Sequence, residues 1–155
     1  MNVDNAVKLM TELAIKSEGL YLKPYLCPSG VPTIGIGATF YKDGTRVTLK
    51  DSAITREQAI ELLCWMIKTK FLPAVIELCP SIETDGQLAA ITDFSFNLGI
   101  AALRSSTLRK RINSGDWDDV PTQLRKWVNG GGRRLNGLVI RREAEIDLIN
   151  RHKEY

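Results

Sequence analysis

Three residues near the start of the chain, Glu18, Cys27 and Thr33, are of types that could carry out acid–base chemistry together. Eight residues separate Glu18 from Cys27, and five separate Cys27 from Thr33. A carboxyl group can donate a proton, while a thiol or hydroxyl held opposite it can position or activate a water molecule. The segment therefore predicts a site that delivers a proton and places a water molecule, provided that the fold brings these side chains together.

Glu18 lies at the end of a predicted helix and directly before Gly19. A glutamate at this end of a helix faces the negative end of the helix dipole, which disfavours the carboxylate. The protonated form is the one that a general acid needs. The helix itself is predicted over residues 4–17, where apolar residues recur at helical spacing: Ala6, Leu9, Met10, Leu13 and Ala14.

The composition excludes several other kinds of site. His152, the single histidine, lies four residues from the C-terminus, where side chains are rarely held in a catalytic arrangement. The cysteines Cys27, Cys64 and Cys79 are odd in number and lack the spacing of metal ligands, so neither disulfides nor a zinc site is predicted. We interpret Cys64 and Cys79 as small buried apolar residues. No cofactor is predicted, and acid–base chemistry here depends on carboxylates.

A small antiparallel sheet of two or three strands is predicted within residues 20–49. This segment combines residues that break helices with β-branched and aromatic residues that favour strands. Within it, Gly35 and Gly37 allow two interpretations. Glycines in strands mark bulges or tight bends, and they also let the backbone lie close to a ligand. A sheet of this size is marginal alone and must pack on other elements.

Helices are predicted from Thr55 onward. Thr55 and Gln58 form a capping-box pattern that starts a helix continuing toward Leu78, with Pro73 as a kink or interruption. Thr84 and Gln87 repeat the pattern ahead of a strongly apolar helix, the predicted central buried one. That helix is predicted to end at Gly99 and to be followed by a short basic helix capped by Ser105 or Ser106. Asp116 is predicted to open a further helix, with Pro121 in its first turn. A flexible loop at residues 129–132 and a last helix over about residues 138–150 complete the prediction.

Strands confined to one end of the sequence, with helices elsewhere, predict an α+β fold with segregated elements. We expect a single domain over residues 1–155, with a β lobe at about residues 19–54 and a helical lobe formed by residues 1–18 and 55–155. A cleft between the two lobes is the natural place for a substrate. The aromatic residues of the helical part are predicted to lie mainly in the core: at least three of Phe94, Phe96, Trp117 and Trp127.

The ordered set of short motifs resembles that of the phage-type lysozymes, the endolysins of glycoside hydrolase family 24. These proteins carry a glutamate, eight residues, an aspartate or cysteine, five residues and a threonine, which this chain matches with Glu18, Cys27 and Thr33. The aspartate is the more common of the two, so this chain resembles the cysteine variant. The match continues in order through residues 33–37 (TIGIG), 96–99 (FNLG), 106–110 (STLRK), 124–127 (LRKW) and 131–142.

The resemblance implies a lysozyme-like fold and hydrolysis of the β-1,4 bond between N-acetylmuramic acid and N-acetylglucosamine in peptidoglycan, which lyses the host cell. Glu18 would be the general acid, and a second group would activate water on the opposite face of the sugar. No Asp or Glu lies between Glu18 and Asp43. Cys27 therefore has three interpretations: a thiolate base or nucleophile, a group that positions the water, or an apolar filler. Thr33 is predicted to orient the water.

Substrate-binding residues are predicted around these three. By its position in the family, Asn97 would hydrogen-bond a sugar N-acetyl group, although it could equally be a polar residue at a helix end. Arg141 or Arg142 is expected to pair with Glu18 across the cleft. Further predicted substrate contacts are Gly35, Gly37 and Arg133, the last of these, with Arg134, toward an anionic wall polymer.

Two alternative functions remain at this point. A lytic transglycosylase acts on the same bond and needs the glutamate but no second carboxylate. A nucleic-acid-binding protein is the alternative from another class, because residues 104–155 hold twelve Lys and Arg against seven Asp and Glu. The chain lacks a recognisable nucleic-acid-binding motif, so no nucleic acid partner is expected.

Peptidoglycan is the expected partner, and the chain is expected to act as a monomer without a separate wall-binding module. Its N-terminal residues carry charges at regular intervals, which is unlike a signal peptide, and no apolar run is long enough for a membrane anchor. We therefore expect no stable membrane insertion. The expected location is the host cytoplasm until a separate holin-like protein permeabilises the membrane, and then the periplasm and cell wall.

Overall fold

The computed structural model describes residues 1–151, so that His152 lies outside the described residues. A helical part and a small antiparallel sheet make up the described chain, which confirms the predicted α+β class. The helices are α1 (Val3–Glu18), α2 (Arg56–Met66), α3 (Leu72–Leu78), α4 (Asp85–Leu98), α5 (Ile100–Arg104), α6 (Thr107–Asn113), α7 (Val120–Leu124) and α8 (Asn136–Arg151), and the strands are β1 (Tyr21–Leu26), β2 (Pro32–Gly35), β3 (Asn129–Gly130) and β4 (Arg133–Arg134).

Strands β1 and β2 form an antiparallel hairpin directly after α1. Tyr25 pairs with Thr33, and Tyr21 pairs with Gly35 across an irregularity in the register. The regular pairing stops at Gly35, because Gly35 and Gly37 both have positive φ angles, 67° and 72°, that extended strands do not adopt. Beyond this point residues 36–49 form isolated bridges and turns rather than a regular strand, so the sheet is shorter than the segment that predicts it.

Helix α2 begins with the predicted capping box, in which Thr55 and Gln58 exchange side-chain-to-backbone hydrogen bonds. The helical path continues to Leu78 through a π-helical segment, Ile67–Phe71, and then α3. Pro73 lies in the first turn of α3, where its missing N–H is tolerated. The predicted long helix is confirmed, and its irregularity is a widened π turn just before the proline.

Helix α4 is the centre of the helical part, as predicted. Thr84 and Gln87 cap it, Gly99 ends it with a φ of 102°, and nearly every residue between them is buried. It packs against α1 on one side and α8 on the other. Phe94 is fully buried, and Phe96, Trp117 and Trp127 pack on the core, which confirms the core assignment of the aromatic residues.

Two local predictions were wrong, and one helix was not predicted. Residues 129–134 form a hairpin rather than a loop, because Gly131 and Gly132 both take positive φ angles, 59° and 81°, as a tight two-residue hairpin turn requires. The helix expected to open at Asp116 begins at Val120, after a turn. The sequence reading also missed α5, which follows Gly99 directly. Among the helices of residues 1–151, none is long and apolar enough to cross a membrane.

Replacing Thr84 tests how much the α4 cap contributes to the fold. The Thr84 side chain accepts a hydrogen bond of 3.1 Å from the Gln87 backbone N–H. We expect Thr84→Ala to lower the free energy of unfolding by about 1 kcal/mol, because a backbone donor loses its partner. Thr84→Ser keeps the acceptor oxygen and serves as the control in urea titrations. Equal unfolding midpoints for the Ala and Ser variants would contradict the capping role.

Candidate active site

Glu18, Cys27 and Thr33 line one cavity of about 550 Å³. Glu18 is the last residue of α1, Cys27 lies in the turn after β1, and Thr33 is on β2. The opposite wall comes from the end of α2, the π-helical segment and Phe96 of α4. The cavity therefore lies between the β hairpin and the helical part, which is the predicted position of the cleft. The structure brings the three predicted catalytic residues to the same place.

A second, larger cavity of about 980 Å³ lies between α1 and α8. It shares Glu18 and Pro28 with the first cavity, so Glu18 lies where the two meet. Asn97 and Arg141 line this larger cavity. Because they share these two lining residues, the two cavities adjoin in one depression that passes Glu18, an arrangement that suits an extended ligand.

Arg141 of α8 is the partner of Glu18. Its Nη1 donates a hydrogen bond of 2.5 Å to Glu18 Oε1, which confirms the pairing predicted for Arg141 or Arg142. The Glu18 side chain keeps 30% of its exposure, while Arg141 keeps 5%. The guanidinium stabilises the carboxylate and so opposes the dipole of α1. The contact fixes the orientation of Glu18 at the junction of the cavities.

Asp93 of α4 holds the other side of Arg141. Arg141 donates from Nε to Asp93 Oδ2 at 2.9 Å and from Nη2 to Asp93 Oδ1 at 2.7 Å. This two-point geometry is the strongest form of an Arg–carboxylate pair. Burial acts to lower the pKa of Arg141, but the hydrogen bonds and charge of Asp93 and Glu18 outweigh it and raise that pKa. Arg141 therefore stays charged between its two carboxylate partners.

Arg142, the next residue of α8, likewise contacts two polar side chains. Its Nη2 donates to Asn97 Oδ1 at 2.7 Å, and its Nε lies 2.8 Å from Glu145 Oε1. The guanidinium also lies over the Phe94 ring, 5.2 Å from the ring centre. Since Arg142 occupies the Asn97 oxygen, the orientation of the amide is fixed, with its NH₂ group left as a donor.

Cys27 lies in a setting that favours its thiolate. Its Sγ is 3.0 Å from Ser29 Oγ. Hydrogen bonding by the Ser29 side chain, followed by that of the Val31 backbone, lowers the pKa of Cys27 to about 7. A thiol with such a pKa is substantially ionised at neutral pH, which gives it the character of a base or nucleophile. Cys79 contrasts with it, because burial raises the pKa of that thiol to about 11.

Thr33 is buried, and its hydroxyl donates a hydrogen bond of 2.8 Å to the Val31 carbonyl. This bond uses the hydroxyl proton and leaves the oxygen as an acceptor toward the cavity that Thr33 lines. An acceptor at that position suits a water molecule that must be held with one of its lone pairs directed at a substrate carbon.

The predicted substrate contacts separate into two groups. Gly37 lines the smaller cavity, where a Cβ would lie 3.4 Å from Phe96. Gly35 lies outside the lining of both cavities. A Cβ there would lie 3.5 Å from Ala59 of α2, so its positive φ serves the packing of β2 on that helix. Arg133 is exposed on β4 and lines neither cavity, so the structure gives these two residues no place in the cavity walls.

The sequence reading missed Asp93 and Glu145, two buried acids behind the site. Asp93 is an acid in the interior of a helix that is buried along most of its length, and a charged residue at such a position was a usable signal. It also missed several residues that line the smaller cavity. These are Tyr25, Trp65, Lys70 and Phe71.

Comparison with known proteins places these features in a family. The family model described as phage lysozyme matches residues 15–145. The endolysin of Acyrthosiphon pisum secondary endosymbiont phage 1 is 38% identical over 138 residues, which cover 85% of this chain and 88% of that protein. The solved endolysin from Escherichia coli O157:H7 phage FAHEc1 is 30% identical with a TM-score of 0.79, and the match covers 96% of this chain and 92% of that one.

A third relative is longer than this chain. The endolysin of Bacillus phage B103 is 36% identical over 139 residues, which cover 87% of this chain. The match spans only half of the length of that protein.

The pH dependence of Cys27 alkylation tests the setting of its thiol. We expect the rate of reaction with iodoacetamide to rise with a midpoint near pH 7, because only the thiolate reacts. Ser29→Ala removes the largest stabilising contact and should move the midpoint upward by about one pH unit. Cys27→Ser gives the background from the other two cysteines. An unchanged midpoint in Ser29→Ala would contradict this explanation.

Proposed function

The chain belongs to the phage lysozyme family, and we propose that it is an endolysin that hydrolyses the β-1,4 bond between N-acetylmuramic acid and N-acetylglucosamine in peptidoglycan. The observation that carries the proposal is the common cavity of Glu18, Cys27 and Thr33. Glu18 is the only carboxylate among the described residues that line that cavity, so it is the natural proton donor.

In this proposal Glu18 protonates the glycosidic oxygen as the bond to the sugar C1 breaks. Positive charge then develops on the sugar ring, and a water molecule attacks C1 from the opposite face. The leaving sugar takes the Glu18 proton, and the attacking water loses one proton to a base. Arg141 holds the Glu18 carboxyl in one orientation, and its charge stabilises the carboxylate that forms.

Cys27 and Thr33 act on the attacking water. The Thr33 oxygen accepts one of its hydrogens, and the Cys27 thiolate accepts the proton that is released. The lowered pKa of Cys27, about 7, supports the role of base. Exposure of the thiol to the cavity and its contact with Ser29 argue against a passive filling role.

The rest of the depression binds the polymer. Asn97 would donate from its amide NH₂ to a sugar N-acetyl carbonyl, since Arg142 already occupies the amide oxygen. Gly37 would let the cleft backbone lie close to a sugar ring. We further propose that the chain acts as a monomeric catalytic unit on the cell wall, to which a separate membrane-permeabilising protein gives it access.

A lytic transglycosylase is the second candidate, favoured by the single carboxylate in the lining of the smaller cavity. In that reaction the C6 hydroxyl of the muramic acid attacks C1 in place of water and loses its proton to the Glu18 carboxylate, which has just protonated the leaving sugar, so no second base is required. The lowered pKa of Cys27 has no use in that reaction, which is why hydrolysis is preferred.

Replacing Glu18 tests the role of general acid. We expect Glu18→Gln to reduce lysis of outer-membrane-permeabilised cells by about 100-fold or more, because glutamine cannot donate the proton. Glu77→Gln, on the exposed side of α3, is the matched control and should lyse like the parent. A folded Glu18→Gln variant with activity within about tenfold of the parent would rule out the assignment.

Two substitutions of Cys27 test the base. In the parent, the rate should rise with pH through about 7 as the thiol ionises. Cys27→Ser should lose this rise and most of the activity, because serine does not ionise in this range. Cys27→Asp should retain activity and show the rise at a lower pH, since a carboxyl ionises near pH 4. If Cys27→Ser matches the parent in both rate and pH profile, Cys27 is not the base.

A further inference from the structure

A buried cluster of four ionisable side chains lies directly behind the Glu18 carboxyl. Its members are Arg141, Arg142, Asp93 and Glu145, whose side chains keep 5% of their exposure or less. Taking ions out of water is costly, and breaking such a cluster leaves uncompensated buried charge. The cluster lies beneath the cavities rather than in their lining, apart from Arg141.

Asp93 restricts what Arg141 can offer to Glu18. The guanidinium has three nitrogens, and Asp93 binds two of them, Nε and Nη2, in one plane. Only Nη1 remains, and it is the nitrogen that contacts Glu18. Because a two-point contact prevents rotation of the guanidinium, the position of Nη1 is set by a residue that does not touch Glu18.

The protonation of Glu145 sets the net charge of the cluster. Burial raises its pKa well above the ordinary value, assisted by a hydrogen bond with Asp93 and by the charge of that residue. A carboxyl that lies near another carboxylate binds its own proton more tightly, because two like charges repel. With Glu145 protonated and donating to Asp93, the two guanidinium charges are matched by the carboxylates of Asp93 and Glu18.

We propose that Asp93 is a positioning residue of this site: its carboxylate binds Nε and Nη2 of Arg141 and holds the guanidinium so that Nη1 faces Glu18. The proposal rests on the role of Glu18 as general acid. Arg141 alone would favour the carboxylate, which cannot donate a proton. The negative charge of Asp93 partly offsets the positive charge of Arg141, and its two-point contact keeps the guanidinium in the same orientation.

The charged groups that act on Arg141 are Glu18 from α1, Asp93 from α4, and Arg142 and Glu145 from α8. Tyr25 and Cys27 of the β hairpin lie near Glu18 rather than near Arg141. Among these groups, Asp93 and Glu18 are the two that hydrogen-bond Arg141 directly. Glu145 could ionise and replace a lost Asp93 charge, so a test must remove that possibility.

The test follows the Glu18 carboxyl by NMR in protein labelled with ¹³C at the glutamate carboxyl carbons, with Glu18→Gln used for assignment. Glu145→Gln is the background, because glutamine is neutral and retains a donor for Asp93, and its Glu18 titration should match the parent. Adding Asp93→Asn in this background should lower the Glu18 midpoint by about one pH unit. The alkaline limb of the lysis profile should move the same way.

Glu143→Gln is the matched control. Glu143 lies on the same helix as Arg141 and also binds an arginine, Arg125, at two points. That pair, however, is about half exposed. Its loss should leave the Glu18 titration unchanged. The proposal would be overturned if the Glu18 midpoint of Asp93→Asn/Glu145→Gln equals that of Glu145→Gln. A drop in lytic activity with an unchanged midpoint would mean that Asp93 has a structural role only.

A further measurement follows the titration of Glu145 in the parent protein, where the buried cluster carries no substitution. The carboxyl resonance absent from Glu145→Gln should titrate well above the ordinary glutamate range. If it titrates in the ordinary glutamate range instead, the charge balance is wrong and the proposal fails. Where Asp93→Asn does not fold by circular dichroism, Asp93→Ser in the same background has the same expected and contradicting outcomes, because it removes the charge and leaves room for water. Since these titrations do not depend on substrate, they can fail independently of the proposed hydrolysis.

Discussion

The contact of Arg141 with both Glu18 and Asp93 is the interaction on which the arrangement of the site depends. It joins α1, α4 and α8, the three helices that pack against one another at the centre of the helical part. Because Arg141 and Asp93 are both almost fully buried, breaking their pair with no replacement charge would cost about 3–5 kcal/mol in typical cases. The same contact that orients the general acid therefore also constrains the packing of the fold.

The β hairpin supplies the other half of the site and depends on the helices for its own stability. A two-stranded hairpin is marginal alone. Here Ile34, Ala38 and Val47 form a small apolar cluster with Leu62 of α2, and Gly35 lets β2 approach that helix closely. Cys27 and Thr33 are thus held opposite Glu18 by packing on α2, and the hydrogen bonds of the turn set the ionisation of the thiol.

Local signals predicted much of this structure. The capping boxes at Thr55 and Thr84, the helical periodicity of α1 and the motif from Glu18 to Thr33 were enough for the class, the main helices and the cleft. The pairing of Glu18 with Arg141 or Arg142 was predicted, although Glu18 and Arg141 are 123 positions apart. The buried cluster behind that pair was not predicted, because no local pattern connects Asp93 with Arg141, 48 positions away, and their contact follows from the packing of α4 against α8. The role of Gly35 was missed for the same reason, because Ala59 comes near it only in the folded chain.

The chemical structure of the glycan ends that the protein produces from peptidoglycan shows whether its site activates water. Purified peptidoglycan would be digested by the parent protein, treated with borohydride and analysed by mass spectrometry. The mechanism with Glu18 as acid and Cys27 as base predicts fragments that end in N-acetylmuramic acid and become reduced at that end. Fragments that end in anhydro-muramic acid and resist reduction, or fragments that end in N-acetylglucosamine, would contradict it.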